Sequence, residues 1–228
     1  MNGAQRLLFV SVLVCWLVVG WAWASGDLVW ATTNPIFQGK ANHKSIALTF
    51  NVDWGQEYLP QILDVLKEQR VRATFFITGR WGEQFPELVR RTASEGHQIG
   101  NHGYLHLHVN QATEAQIVSD LRRSQAVLES IVGRISPFYA PPYGECEPHV
   151  VKAAESIGYR TVLWTIDTVD WREGAKASEI ISKVTSRAQN GAIVLAHPTA
   201  VMAETLPGLI AKLKTSGYDL VTLSEIVS

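Results

Sequence analysis

The feature that most constrains this chain is an alternation of two periodicities that starts near residue 45 and runs to the C-terminus. Short apolar, β-rich runs fall at 45–50, 71–77, 97–101, 138–140, 161–165, 192–196 and 220–222. Between them, apolar residues recur at helical spacing over 57–69, 83–94, 114–132, 148–157, 177–188 and 206–215. In 114–132, Ile117, Val118, Leu121, Val127, Leu128 and Ile131 build one apolar face, the signature of a helix packed on a core. Short apolar strands separated by helices predict parallel βαβ units. The chain is therefore read as α/β, and about seven such units suit a barrel better than an open sheet. Periodicity alone does not separate the two.

Composition supports one folded domain of ordinary size. Of 228 residues, 46% are hydrophobic and 18% charged, and the formal net charge is −1. That balance excludes a disordered chain and the basic footprint of a nucleic-acid binder, so no nucleic acid is expected as a partner, and a monomer is expected. Of the two cysteines, Cys15 lies in the apolar N-terminal run and Cys146 stands alone, which excludes a disulfide scaffold.

The N-terminus carries a second signal. Arg6 precedes an uncharged run over 7–24 that ends in Ala22-Trp23-Ala24. A small-x-small triplet after an apolar stretch fits a cleaved signal peptide. The run also reaches the ~17–25 residues of a membrane span, with Trp16, Trp21, Trp23 and Trp30 at its far end like an interfacial aromatic belt. Both readings stand. Either places the domain outside the cytoplasm, secreted or held to the membrane, and divides the chain into a leader or anchor at 1–26, a linker at 27–40 and a domain at 41–228.

Polar residues gather just after the strands. Asn51 and Asp53 follow the first, His102 and His106 the third, 140–144 the fourth, 167–171 the fifth and His197 the sixth. In a parallel barrel these positions form one mouth, where chemistry is expected. If the segment after the third strand turns helically, His102 and His106 project to one side and can hold a divalent metal. Asp53 is the natural third ligand. Two imidazoles and a carboxylate leave positions open for water and substrate. Two plain surface or core histidines remain the other reading.

Five ordered segments then point to a family: Thr49-Phe50-Asn51-Val52-Asp53-Trp54-Gly55, Gly100-Asn101-His102-Gly103-Tyr104-Leu105-His106, Ala140-Pro141-Pro142-Tyr143-Gly144, Asp167-Thr168-Val169-Asp170-Trp171 and Val194-Leu195-Ala196-His197. With them the chain resembles the polysaccharide deacetylases, most closely the sporulation-associated deacetylase-like branch. The resemblance implies a distorted (β/α) barrel of seven or eight units, a divalent ion, Zn²⁺, and a peptidoglycan- or chitooligosaccharide-like substrate. It implies His102, His106 and Asp53 as metal ligands, His197 as the acid that protonates the departing amine, and Asp167 and Asp170 as the acidic pair around it. Pro142 and Tyr143 would wall the groove, with the Tyr143 N–H on the oxyanion. Trp54 and Trp171 flank the site and could stack on sugar faces.

The chain departs from the family pattern at two linked places. Asn51 stands where the family carries its catalytic base, and Ala140 where it carries the arginine that positions that base. An amide cannot take a proton from water near neutral pH. Three outcomes stay open at this point: Asp53 is the base, Asp53 is a ligand and hydrolysis proceeds without a base, or the protein only binds glycan. A glycosidase use of Asp167 and Asp170 has nothing behind it beyond two carboxylates.

Overall fold

Every residue of strand β1 (Ser45–Val52) is buried, as a central strand covered on both faces requires. In the computed structural model, which describes residues 34–228, β1 is the axis of an all-parallel sheet. On one side of it follow β2 (Thr74–Ile77), β3 (Gln98–Asn101), β4 (Phe138–Tyr139) and β5 (Arg160–Thr161). On the other lie β7 (Ala192–Ala196) and then β6 (Ile166–Asp167). β7 pairs along 46–50 of β1. β8 (Asp219–Val221) pairs with 45–47 and β2 with 49–52. A strand has only two edges, so β8 and β2 share one of them. The sheet curls into the distorted (β/α) barrel expected from the sequence.

Helices α1 (Leu59–Glu68), α2 (Gly79–Gln84), α3 (Pro86–Ser94), α4 (Glu114–Val132), α5 (Pro148–Glu155), α6 (Ala177–Arg187), α7 (Ala200–Thr215) and α8 (Leu223–Val227) complete the domain. α1 shows how they are held. Leu59, Ile62, Leu63 and Leu66 recur at helical spacing and are fully buried, each stabilising by about 1.5–3 kcal/mol. α4 opens on a capping box, with Thr113 and Gln116 satisfying each other's backbone donors.

Three sequence expectations change. The strand read at 161–165 is two short strands, β5 and β6, because residues 36–38 insert at the seam between them. Ile36 N–H donates to Thr161 O at 2.8 Å and Leu163 N–H to Ile36 O at 2.8 Å. Gln38 bridges antiparallel to Ala192. Part of the stretch read as linker thus satisfies backbone groups that short strands leave open. The helix read at 83–94 is α2 and α3, joined at Phe85 (φ −128°, ψ 54°), with Pro86 opening the second, where a missing N–H costs nothing. α7 starts at Ala200, well before 206, and runs through Pro207. Thr199 caps it, and Met202, Ala203, Leu206, Leu209, Ile210 and Leu213 are buried along it.

The leader or anchor at 1–26 lies outside the described residues. Among the described residues, no helix is long and apolar enough to cross a membrane.

Candidate active site

The carboxyl ends of β1, β2, β3, β4, β6 and β7 open on one side, and each delivers part of one polar cluster. Asn51 lies within β1 and is buried. Asp53 follows, and its environment is the most informative in the cluster. Its Oδ1 accepts from Thr78 Oγ1 at 2.8 Å and from Arg80 Nε at 2.8 Å, and its Oδ2 accepts from Arg80 Nη2. Burial works to raise the Asp53 pKa. The bonds from Arg80 and Thr78 outweigh it and hold the carboxyl below its ordinary range.

The histidine segment does not turn helically, contrary to the expectation that would have set both imidazoles on one helix face. It is an irregular loop with left-handed backbone at Gly103 (φ 77°) and His106 (φ 56°). The Asp120 carboxylate, reaching in from α4, accepts Tyr104 N–H at 2.7 Å and Leu105 N–H at 3.0 Å and so fixes the loop. A Cβ at Gly103 would lie 2.6 Å from Asp120 Oδ2, so the turn needs glycine. The loop still brings the two rings together, edge to face, with centroids 5.0 Å apart. His102 is buried and its Nδ1 bonds Ala140 O at 2.6 Å. The carbonyl can only accept, so the proton sits on Nδ1 and Nε2 keeps its lone pair. Burial pushes the His102 pKa down to about 3. Burial also lowers His106; the Asp53 charge opposes this and the Arg80 charge adds to it.

Tyr143, left-handed at φ 59° and 57% exposed, stands beside this pair. Its ring meets His106 edge-on at 4.7 Å and stacks on His108 at 4.0 Å. Pro142, before it, is buried.

On the opposite side of the cluster lies a second constellation. His197 Nδ1 bonds Asp170 Oδ1 at 2.9 Å, and His197 N–H donates to Asp170 Oδ2 at 2.8 Å. Thr168 Oγ1 donates to Oδ1 at 3.0 Å and Thr199 Oγ1 to Oδ2 at 3.2 Å. The Asp170 side chain is wholly buried, and these four donors supply the bonds that burial of a carboxylate demands. Of the acidic pair expected from the resemblance, Asp170 is the member that lies against His197. Asp167, the other member of that pair, accepts Val169 N–H at 2.8 Å. It braces a turn in which Val169 is left-handed (φ 58°), an uncommon state for a β-branched residue. Trp54 is 43% exposed and lies parallel to the His197 ring at 6.1 Å. Trp171 is exposed nearby in sequence.

A family model for polysaccharide deacetylases matches residues 38–162. A peptidoglycan-N-acetylglucosamine deacetylase of Bacillus cereus is 36% identical over 195 residues, covering 83% of this chain and 70% of that one. This chain belongs to the polysaccharide deacetylase family. The Bacillus subtilis protein YlxY is 37% identical over 193 residues, 85% of this chain, and the match spans only 60% of YlxY. Among solved structures, a Bacillus anthracis pseudoenzyme of the CE4 family superposes with a TM-score of 0.82 at 35% identity, covering 86% of this chain and 69% of that one. A mutant of that pseudoenzyme is described as having restored enzymatic activity.

Deacetylases of this family are generally metal-dependent, so the donor set can be tested against a divalent ion. His102 and His106 are close, and His102 Nε2 has a free lone pair. Asp53, the third member, has both oxygens taken by a guanidinium. Among the described residues, no three His, Cys, Asp or Glu side chains form a group that could hold a metal ion. As arranged, the residues do not fit the ion.

Sequence reasoning missed Arg80, Asp120, Thr78 and Thr199. Arg80 obeys the rule that flagged the others, lying just beyond a strand's carboxyl end. Asp120 sits on the polar face of a long amphipathic helix, where carboxylates are ordinary, and nothing in the sequence marks it.

Proposed function

We propose that this protein acts outside the cytoplasm on N-acetylated cell-wall glycan, as an amide hydrolase of the deacetylase type. The observation that carries this reading is the His197–Asp170 pair, buried on the Asp170 side and capped by Trp54 on the other. With its proton on Nδ1 toward Asp170, His197 turns Nε2 away from the carboxylate. Protonated there, it can give that proton to the departing amine as the acyl C–N bond breaks; water supplies hydroxyl to the acyl carbon, and the proton water loses returns to His197 Nε2. The Asp170 carboxylate orients the ring by holding its Nδ1. Trp54, Tyr143 and Trp171 offer exposed aromatic faces suited to sugar rings, and the Tyr143 N–H is the proposed oxyanion donor. Membrane attachment or export by the N-terminus, and a monomeric state, belong to the same proposal.

A second reading, glycan binding with little turnover, is favoured by specific observations: the amide at Asn51, the methyl at Ala140 and the ion pair that occupies Asp53. A missing base typically costs about 10²–10⁴ in rate.

One paired experiment tests both. Acetate release from an N-acetylglucosamine oligomer and from peptidoglycan is measured beside retention on insoluble peptidoglycan, for the wild type, His197→Ala and Trp54→Ala. Hydrolysis predicts acetate from the wild type, lost in His197→Ala with retention kept. Binding alone predicts retention that Trp54→Ala weakens, with no acetate from any form. No retention and no acetate would sink both.

A further inference from the structure

Arg80 is not explained by the reading above. It stands in the second residue of α2, and its loop is tied to the histidine loop through the backbone. Gly79 N–H donates to Gly103 O at 2.9 Å and Arg80 N–H to Tyr104 O at 3.3 Å. The approach is close enough that a Cβ at Gly79 would lie 2.6 Å from Tyr104 Cδ2 and 2.7 Å from Ser124 Cα. The backbone that carries the guanidinium is thereby held against the histidine loop. From there the guanidinium grips Asp53 with two nitrogens, Nε on one oxygen and Nη2 on the other. A planar fork on a carboxylate is among the strongest and most directional of ion pairs. Here the carboxylate is only 10% exposed and the guanidinium 43%, so the Asp53 end of the pair is partly shielded from water.

We infer that Arg80 is the resident cation of this site: it neutralises Asp53 in place of a divalent ion and keeps the Asp53–His102–His106 cluster metal-free. Two effects act together. The fork removes a ligand, because Asp53 must leave Arg80 before it can bind a metal. The positive charge also repels any cation arriving at the two imidazoles, and doubly so when that cation carries two charges. What remains without Asp53 is a pair of imidazoles, short of the three protein ligands that a hydrolytic zinc site uses. The cluster is a latent metal site closed by one side chain. This inference rests on the geometry around Asp53 and stands whether or not the protein hydrolyses or binds glycan.

The test is zinc binding by the full chain, measured by calorimetry and by metal content after loading and desalting. The wild type should retain well under one zinc per chain. Arg80→Ala should retain one, with affinity higher by about 10²-fold or more from the removed charge and the freed carboxylate. Arg80→Ala combined with His106→Ala, or with Asp53→Asn, should lose it again. Arg80→Gln serves as a second variant if the alanine form is unfolded by circular dichroism, and Arg80→Lys, cationic but not bidentate, should fall between the wild type and the alanine form. A wild type that binds one zinc as tightly as Arg80→Ala overturns the inference. So do folded Arg80→Ala and Arg80→Gln proteins that both bind none.

Discussion

Asp170→Asn is the perturbation whose consequences the structure determines most fully. The carboxylate accepts four hydrogen bonds, two on each oxygen. An amide keeps one oxygen and replaces the other with a donor. The Oδ2 position faces the His197 backbone N–H, which can only donate, so the amide oxygen must stay there. The NH₂ group must then sit at the Oδ1 position, facing Thr168 Oγ1 and His197 Nδ1. The threonine hydroxyl can rotate to accept. His197 can accept only by moving its proton from Nδ1 to Nε2. Bonds to a charged group contribute about 1.5–3 kcal/mol each and neutral ones about 1 kcal/mol. Four bonds losing their charge assistance therefore cost a few kcal/mol, and we take about 2–4 kcal/mol as the expected loss. With a urea slope of about 1–3 kcal/mol/M, the unfolding midpoint should fall by roughly 1–2 M. Nitrogen-15 NMR of the imidazole should show the proton on Nε2 in the variant and on Nδ1 in the wild type. A midpoint within about 0.3 M of wild type, with the same tautomer, would refute the reasoning. Asp167→Asn is the control, since Asp167 accepts a single backbone bond; it should lose no more than about 1 kcal/mol.

Asn51→Asp should raise acetate release. The gain should stay below the ~10²-fold ceiling of a well-placed base, because Ala140 offers nothing to orient the new carboxylate. Rates equal to wild type from pH 5 to 9 would argue that the missing carboxylate is not limiting. His97 is buried away from the site, with Nδ1 accepting Ala73 N–H at 3.1 Å and, among the described residues, no partner for Nε2. Burial pushes its pKa from 6.5 down to about 4, against the opposing charge of Glu95 and with the help of Arg72 and Arg91. A base with a depressed folded pKa leaves stability intact above pH 6.5 and removes it as pH falls toward 4, by about 3 kcal/mol here. His97→Gln should flatten that part of the pH profile, and a difference between the two proteins that does not change with pH would count against it. Gly55 is left-handed at φ 86°, and a Cβ there would lie 2.0 Å from Pro198 O. Gly55→Ala should destabilise by more than about 2 kcal/mol and disturb the Trp54–His197 contact, read as a change in tryptophan emission; an unchanged melting temperature would be the contrary result.

The sequence alone settled the parallel α/β architecture and the end of the sheet at which its polar residues gather. Both follow from local rules. Runs such as 45–50 and 192–196 are too apolar for a one-sided strand, and polar residues that follow such runs must collect at one end of a parallel sheet. The ordered segments around Asp53, His102 and His197 added the family. Tertiary structure decided how those residues are used. Which of Asp167 and Asp170 lies against His197 depends on a left-handed turn at Val169, which no spacing rule anticipates in a β-branched residue. The histidine loop owes its shape to Asp120, distant in sequence and ordinary in its helix. The seam between β5 and β6 is closed by residues 36–38, whose pairing is non-local and carries no periodicity. Arg80 weighs most in the outcome. In the sequence it is one arginine after a strand; in the fold its guanidinium lies on Asp53, and a charge pair is set by distance in space, which the order of residues does not encode.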